Sequence, residues 1–195
     1  LQEMGIDGVW IGYEGSRAGF AKQQGRPADA LLPELRAAGI NVLASMILGL
    51  PYQTPEIIRN ELDGLLKLQP GLTQFLIYNA IPGTPFHERV DKGGLLRPDV
   101  AADPQKLWKH STGFVAMVKH PTMLAGEIEA LQEHCFQTDF ERLGPSIFRS
   151  VEAWLLGYQH MKDSPVPILR AKAQRIAGEL RQTYPIFLVG QLMVA

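Results

Sequence analysis

Three apolar runs, each followed by residues with helical spacing, dominate the first half of the chain. The runs cover residues 8–14, 41–48 and 73–79. Between them, apolar side chains recur every three or four positions, as on the buried face of a helix. This alternation predicts βαβ units and a parallel sheet.

Residues that begin or end helices support these boundaries. Gly39 follows the first predicted helix and suits its C-terminal end, because glycine readily takes a positive φ. Thr54 is predicted to cap the second helix, with Pro55 in its first turn. The nearly unbroken apolar content of residues 41–48 is typical of a parallel strand buried on both faces. A short helix is predicted over residues 85–94.

After Arg97 the pattern changes. Residues 97–121 have a loop-rich composition, with a short strand predicted at 113–118. Three amphipathic helices are predicted after that, over residues 126–143, from about Pro145, and over residues 168–181. We therefore expect two parts, residues 1–97 and a loop and helical extension over residues 98–195.

Composition excludes several classes of function. The chain has 195 residues, 46% of them hydrophobic, and a net charge of −1, so nothing predicts a nucleic-acid footprint or a polybasic membrane surface. The longest apolar run, residues 42–50, is too short to span a bilayer. The one cysteine, Cys135, cannot form an internal disulfide, which favours a cytoplasmic location.

The strand content predicts missing polypeptide. The sequence starts at Leu1 and reaches its first strand almost at once. Three strands alone would leave an open sheet edge and bury little apolar surface. We expect the chain to be a fragment whose parent continues upstream of Leu1.

Chemistry is expected at the carboxyl ends of the strands, where parallel α/β proteins bind ligands. These ends are residues 12–14, 49–51 and 79–84, and two of them are rich in glycine and proline. Glycine lets a flat ligand approach the main chain, whose amides and carbonyls can bind the edge of a purine. Ordinary βα turns explain the same glycines equally well.

Few side chains carry a chemical signature. Glu14 could bind sugar hydroxyls or an ammonium group, or be a solvated loop acid, and Ser16, Arg17 and Lys22 could complete a polar clamp. The histidines show no metal-ligand spacing, and His120, in a loop before proline, is the best functional candidate among them. Cys135 on an amphipathic helix is expected to be packed. No catalytic residue can be assigned.

The three strand ends, in this order, resemble the second half of a radical S-adenosylmethionine (SAM) barrel, in the branch that carries an N-terminal cobalamin-binding domain. The stretch VWIGYEGSRAGFAKQQG is similar to the family's fourth strand, IGxES with a downstream lysine or arginine. SMILGLPYQTPE is similar to the fifth, GxIxGxxE or GxPxET, and FLIYNAIPGTPFHERV to the sixth. GFVAMVKHP resembles a segment that follows the barrel in some members.

This resemblance implies an α/β fold, a partial TIM-type barrel with a helical extension, and a set of ligand contacts. It implies that Glu14 contacts the ribose or methionine part of SAM, with Ser16 and Lys22 beside it. Adenine would lie against the main chain of the fifth strand and under the sixth-strand turn. The residues concerned are Ser45, Ile47, Leu48, Gly49 and Leu50 in the strand, and Ile81, Pro82 and Gly83 in the turn. Tyr78, Asn79 and His120 would face a small-molecule substrate.

The resemblance also implies cofactors. Family members hold a [4Fe–4S] cluster on the three thiolates of CxxxCxxC, and this chain has no such motif. We therefore expect the cluster ligands upstream, a flavodoxin-type or ferredoxin-type reducing partner, and no metal ligands in this chain. Whether cobalamin is used stays open. The parent would cleave SAM reductively to a 5′-deoxyadenosyl radical, for methyl transfer or ring chemistry.

Several positions depart from the family pattern. Ser45 replaces a usual glycine, Tyr52 a usual glutamate (Gln53 in the related form), and Gly15 a usual serine. Two alternatives therefore stay open. The chain could be a non-catalytic barrel remnant or scaffold without a cluster, or part of an iron-free TIM-barrel enzyme.

Overall fold

A computed structural model describes residues 1–13 and 26–194, apart from the side chains of Gln2, Thr183 and residues 188–194. A 3₁₀ turn, Gln2–Met4, precedes strand β1, Gly8–Tyr13. Helix α1, Ala28–Ala37, leads to β2, Asn41–Leu48, and helix α2, Pro55–Lys67, leads to β3, Leu72–Ile77. The predicted alternation of strand and helix is confirmed.

The three strands form one parallel sheet in the order β1-β2-β3. Its register aligns Gly12 with Ser45, and Ser45 with Gln74. Because the strand order never reverses, both crossover helices lie on the same face of the sheet. That face holds the main core, in which Met46 and Phe75 pack against Leu62 of α2.

The opposite face of the sheet is open in the described part of the chain. Trp10 of β1 is 66% exposed and Ile47 of β2 is 39% exposed, while their strand neighbours pack into the core. The prediction that residues 41–48 are buried on both faces is therefore wrong for one face. The apolar run fitted both arrangements, because periodicity cannot show whether a second layer covers a strand.

Residues 85–110 form three short helices beside the end of β3. They are α3, Pro85–Lys92, α4, Pro98–Ala101, and α5, Pro104–His110. A small second core joins Ala80 to Val90 and Leu96. The strand predicted at 113–118 is reduced to a single antiparallel bridge between Leu96 and Val118, and Gly113 accepts a bond from the Ile77 amide at 2.8 Å.

Three longer helices complete the chain. Helix α6, Ala125–Leu143, packs on the covered face of the sheet through Ile128 and Cys135. Helix α7, Ser146–Met161, and α8, Pro167–Val194, form a hairpin with its own core. The third predicted helix is thus longer than residues 168–181, because the apolar tail continues it. The boundary at residue 97 stays a prediction.

The α7–α8 hairpin lies against the amino end of the sheet. His160 of α7 bonds to the Ala37 carbonyl at 3.1 Å, and Lys172 of α8 pairs with Asp7 at 2.9 Å. The amino end is therefore closed, and the carboxyl end is not covered by this hairpin. None of the described helices combines the length and the apolar content that a bilayer crossing needs.

Candidate functional site

The carboxyl ends of the three strands lie side by side at one edge of the sheet. Tyr13, the last described residue of β1, pairs with Met46, and Leu48 at the end of β2 pairs with Ile77 at the end of β3. The Tyr78 amide extends the ladder by donating to the Leu48 carbonyl at 2.7 Å. Two βα turns follow these strands directly, so one surface contains both.

The turn between β2 and α2 is held by the buried side-chain amide of Gln53. The Gln53 side chain, 1% exposed, accepts from the Leu50 amide at 2.8 Å and donates to the Ile47 carbonyl at 3.1 Å. Gly49 in this turn has φ of 79°, which an L side chain rarely adopts. The turn is therefore fixed from inside by side-chain hydrogen bonds as well as by the main chain.

A buried carboxylate lies beneath this turn. Glu61 of α2 accepts from the Gln53 amide at 2.7 Å, and the Tyr52 hydroxyl donates to it at 3.5 Å. Burial raises the pKa of the Tyr13 hydroxyl, and the negative charges of Glu61 and Asp29 raise it further. The sequence analysis missed Glu61, although a signal exists: it occupies a position on the apolar stripe that Ile58 and Leu62 define.

The turn between β3 and α3 is held by a threonine cap. Thr84 accepts from the His87 amide at 3.2 Å and donates to the Ile81 carbonyl at 2.7 Å. Gly83 has φ of 84°, and a Cβ built there would meet nothing within 4 Å. Ile81 is 51% exposed. This turn is therefore well ordered, and the space beside its glycine is open.

Tyr78 and Asn79 lie just past β3, between that strand and α3 and α5. The Tyr78 ring packs against Phe86 with centroids 4.3 Å apart. Burial raises the pKa of the Tyr78 hydroxyl, although Arg89 opposes the shift. The Asn79 amide donates to the His110 carbonyl at 3.4 Å. Within the described ranges its own oxygen has no partner, nor do His87 Nε2 and His110 Nδ1.

His120 joins this edge from a distant part of the sequence. Its Nδ1 accepts from the amides of Thr122 and Met123, at 3.2 and 3.1 Å. Nδ1 is therefore unprotonated, and Nε2–H donates to the Leu50 carbonyl at 3.0 Å. The ring anchors the loop after Val118 to the β2–α2 turn, so both of its nitrogens are engaged; a contact with substrate stays a prediction.

The main-chain groups at this edge are not equally available to a ligand. The Leu50 carbonyl accepts from both Gln53 and His120, which uses its two lone pairs, and the Leu50 amide is bound to Gln53. The carbonyls of Ile47 and Leu48 also accept internal bonds, from the Gln53 side chain and from the Tyr78 amide. Leu50 is also buried, so its main chain is not available for a hydrogen bond to a ligand.

The structure brings together most of the residues that the sequence singled out. Ile47, Leu48, Gly49 and Leu50 share one turn with His120, and Tyr78 adjoins Leu48. The turn of Ile81, Pro82 and Gly83 follows the neighbouring strand β3. Ser45 lies farther from this edge, on the open face, where it accepts from the Trp10 indole. Glu14, Ser16 and Lys22 lie outside the described residues.

The described residues do not fit an iron–sulfur cluster. Cys135 is the only cysteine of the sequence, and burial raises its pKa to about 12, so it stays a thiol and not the thiolate that iron requires. Over the described ranges, no three His, Cys, Asp or Glu side chains are grouped so that they could hold a metal ion. The same edge has one open glycine turn, at Gly83, whereas Gly49 is buried against the Ile128 side chain.

Comparison of the sequence with protein families and with curated proteins finds no match.

Proposed function

We propose that this chain is the SAM-binding half of a radical SAM barrel, with its helical extension. The observation that supports the proposal is the order of the strands, together with the position of their crossover helices on one face of the sheet. Sequential parallel strands, with their crossover helices on one face only, are typical of a segment of a (β/α)₈ barrel. A doubly wound sheet would carry helices on both faces and reverse its strand order.

The open face supports the same proposal. In a barrel the face without helices lines the interior, and it is filled by side chains from all strands. Here that face carries Trp10, Ser45 and Gln74, which include two polar groups in register on neighbouring strands. Further strands from the parent polypeptide would complete the enclosure.

The adenosyl group would lie on the two glycine turns. Gly49 and Gly83 take positive φ, and the surroundings of Gly83 are open, so a flat base can approach the main chain there. Exposed Ile47 and Ile81 would cover the faces of the adenine. Tyr78, Asn79 and His120 would lie toward the substrate. Glu14, Ser16 and Lys22 would bind the ribose or methionine part.

Iron chemistry would belong to other parts of the parent. A [4Fe–4S] cluster held by other parts of the parent would supply the one-electron reduction that breaks the C5′–S bond of SAM into methionine and a 5′-deoxyadenosyl radical. The residues of this chain would position that group and exclude water from it. Because Cys135 is unsuited to hold the cluster, its ligands would have to come from other polypeptide. If the parent uses cobalamin, other polypeptide of the parent would hold it as well.

A second candidate is a cluster-free barrel remnant that binds a nucleoside without radical chemistry. The single, buried Cys135 favours it. The parent sequence discriminates the two: a CxxxCxxC motif upstream of Leu1, and a brown, iron-containing protein after anaerobic reconstitution, would support the enzyme. A parent that has no such motif and stays colourless would support the cluster-free remnant.

The adenosyl site itself is tested by calorimetry with S-adenosylhomocysteine, a stable analogue of SAM. We expect the chain to bind it and Gly83→Val to weaken binding at least about tenfold, since a branched side chain fills the approach to the turn. Gly94→Val is the matched control. Gly94 also has a positive φ and open surroundings, but it lies at the other end of α3. Equal losses in both variants, or no binding by the unmodified chain, would reject the site.

A further inference from the structure

The side chain of Trp10 has an unusual setting for an aromatic residue in a strand. It is 66% exposed, although Val9 and Ile11 on either side pack into the core. Large aromatic side chains usually bury most of their surface on folding. Trp10 instead presents its ring on the open face of the sheet.

A hydrogen bond fixes the direction of the ring. The indole Nε1–H donates to Ser45 Oγ at 3.0 Å. In the register, Trp10 lies beside Leu43, and Ser45 is one step nearer the carboxyl end on the same face. The indole therefore reaches across to β2 and toward the candidate site. Because its only polar group is engaged, the ring offers a ligand mainly its π surface.

The neighbouring residues leave room for a ligand and add one acceptor. Gly12, which pairs with Ser45 on the β1 side, has no side chain to cover the indole. Gln74 pairs with Ser45 on the β3 side, about 5 Å away as neighbouring strands are. Its amide oxygen is buried and has no hydrogen-bond partner in the part of the chain that the structure describes.

We propose that Trp10 is a stacking platform for the substrate, and that the substrate carries a planar conjugated ring. The inference rests on the proposed function in one respect, because that function places the substrate in the barrel interior. Offset stacking on a fixed indole favours flat π systems over saturated rings of the same size. The oxygen of Gln74 has no exposed surface, so a donor group on the substrate ring would reach it only after the Gln74 side chain turned outward.

NMR of the isotope-labelled chain tests this residue by residue. The sequence has three tryptophans, so three indole N–H signals are expected, and Trp10→Leu identifies the relevant one. The probes are 2-naphthoate, which is planar, and decahydro-2-naphthoate, which has the same skeleton and charge but is saturated. We expect the Trp10 indole N–H signal to shift with increasing 2-naphthoate concentration until binding saturates. Decahydro-2-naphthoate should leave this signal unchanged.

Trp108 is the matched control, because it is 65% exposed but lies on α5. Trp10→Leu should weaken 2-naphthoate binding roughly tenfold by calorimetry, and Trp108→Leu should not change it. Ser45→Ala should give a smaller loss, about threefold, and faster solvent exchange of the Trp10 indole N–H. An unchanged Trp154 signal in each variant shows that the fold is kept.

Three results would overturn the proposal: equal shifts at Trp10 and Trp108, equal binding of the two probes, or no shift at Trp10. Failure of the proposed function would look different. S-adenosylhomocysteine would then leave the amides of Gly49 and Gly83 unperturbed while 2-naphthoate still shifted Trp10. The opposite pattern would reject the platform and keep the adenosyl site.

Discussion

The two ends of the sheet are built differently although they share the same three strands. At the amino end, α7 and α8 pack under the strands through ion pairs and a close helix contact. At the carboxyl end, two glycine turns carry the exposed side chains of Ile47 and Ile81. The amino end is thus covered by helices, and the carboxyl end keeps exposed apolar side chains.

The contrast follows from physical constraints on each end. Helix α7 comes so near to the loop before β2 that a Cβ on Gly39 would lie 2.2 Å from the Gly157 nitrogen. This contact packs α7 tightly against the loop, although a cavity of about 200 Å³ remains beside it, with Arg36, Asn41 and Arg149 in its lining. The carboxyl end holds its turns with side-chain hydrogen bonds, from buried Gln53 in one turn and from partly exposed Thr84 in the other.

The largest effect is expected from breaking the buried ion pair of the amino end. Arg149 contacts Asp139 through two bonds of 3.0 and 3.2 Å and donates to the Gly71 and Gly144 carbonyls. Arg149→Met leaves Asp139 charged and buried, so the free energy of unfolding should fall by about 3–5 kcal/mol. Urea unfolding followed by circular dichroism measures this.

Arg142→Met is the control, because Arg142 pairs with Asp63 at the same end but both side chains are well exposed. Its loss should stay at or below about 1 kcal/mol. If the two variants lost the same stability, the buried pair between α6 and α7 would contribute no more than an exposed pair does.

Gly39→Ala should give the next largest effect. The substitution adds a Cβ where the Gly157 main chain already lies, and it forces alanine to a φ of 70°. We expect about 2–4 kcal/mol of lost stability, from overpacking and backbone strain together. Gly144→Ala has the same φ but open surroundings, so it should lose only about 1–2 kcal/mol. Equal urea midpoints for both variants would exclude the tight contact.

At the carboxyl end, Gln53→Leu should affect binding more than stability. It leaves the Leu50 amide and the Ile47 carbonyl without their side-chain partner, at a cost of about 1–3 kcal/mol in unfolding. The loosened turn should bind S-adenosylhomocysteine at least about tenfold more weakly, as calorimetry would show. Gln137→Leu, at an exposed position, is the control. It should change neither the free energy of unfolding nor the affinity for S-adenosylhomocysteine. Unchanged affinity in Gln53→Leu would separate this turn from the site.

The smallest effect is a pH dependence of stability, which comes from Cys135 in the core between the two ends of the sheet. Burial raises the pKa of the Cys135 thiol from 9.0 to about 12. Only the unfolded chain then ionises between these values, so stability falls as pH rises through that window. At about pH 10 we expect a loss of about 1.4 kcal/mol that Cys135→Ala does not show. Paired urea titrations at neutral and alkaline pH check this, and parallel losses in both proteins would contradict it.

Local signals explain which elements could be predicted. Strand β2 matches the predicted residues 41–48, and Thr54 caps α2 with a bond of 3.3 Å from the Ile57 amide, as the motif indicated. Caps, prolines and apolar runs act over a few residues, so the sequence reports them directly. The glycines of the two turns were found for the same reason.

Long-range contacts explain the rest. The apolar run at residues 8–14 predicts a strand, but the 66% exposure of Trp10 depends on what covers the second face of the sheet. The bond between His120 and Leu50 joins residues 70 positions apart. Likewise, the predicted strand at 113–118 lacks a regular partner, because only Val118 meets Leu96. No pattern within a short window encodes these pairings.

The central claim is that the carboxyl end of this sheet binds an adenosyl group through its glycine turns. Its most direct test is NMR of the isotope-labelled chain during titration with S-adenosylhomocysteine. We predict saturable shifts at the amides of Gly49, Ile81 and Gly83, and none at Gly39, Gly71 or Gly157 of the amino end. Shifts confined to the amino end, or no shifts at the glycine turns at saturating ligand, would contradict it.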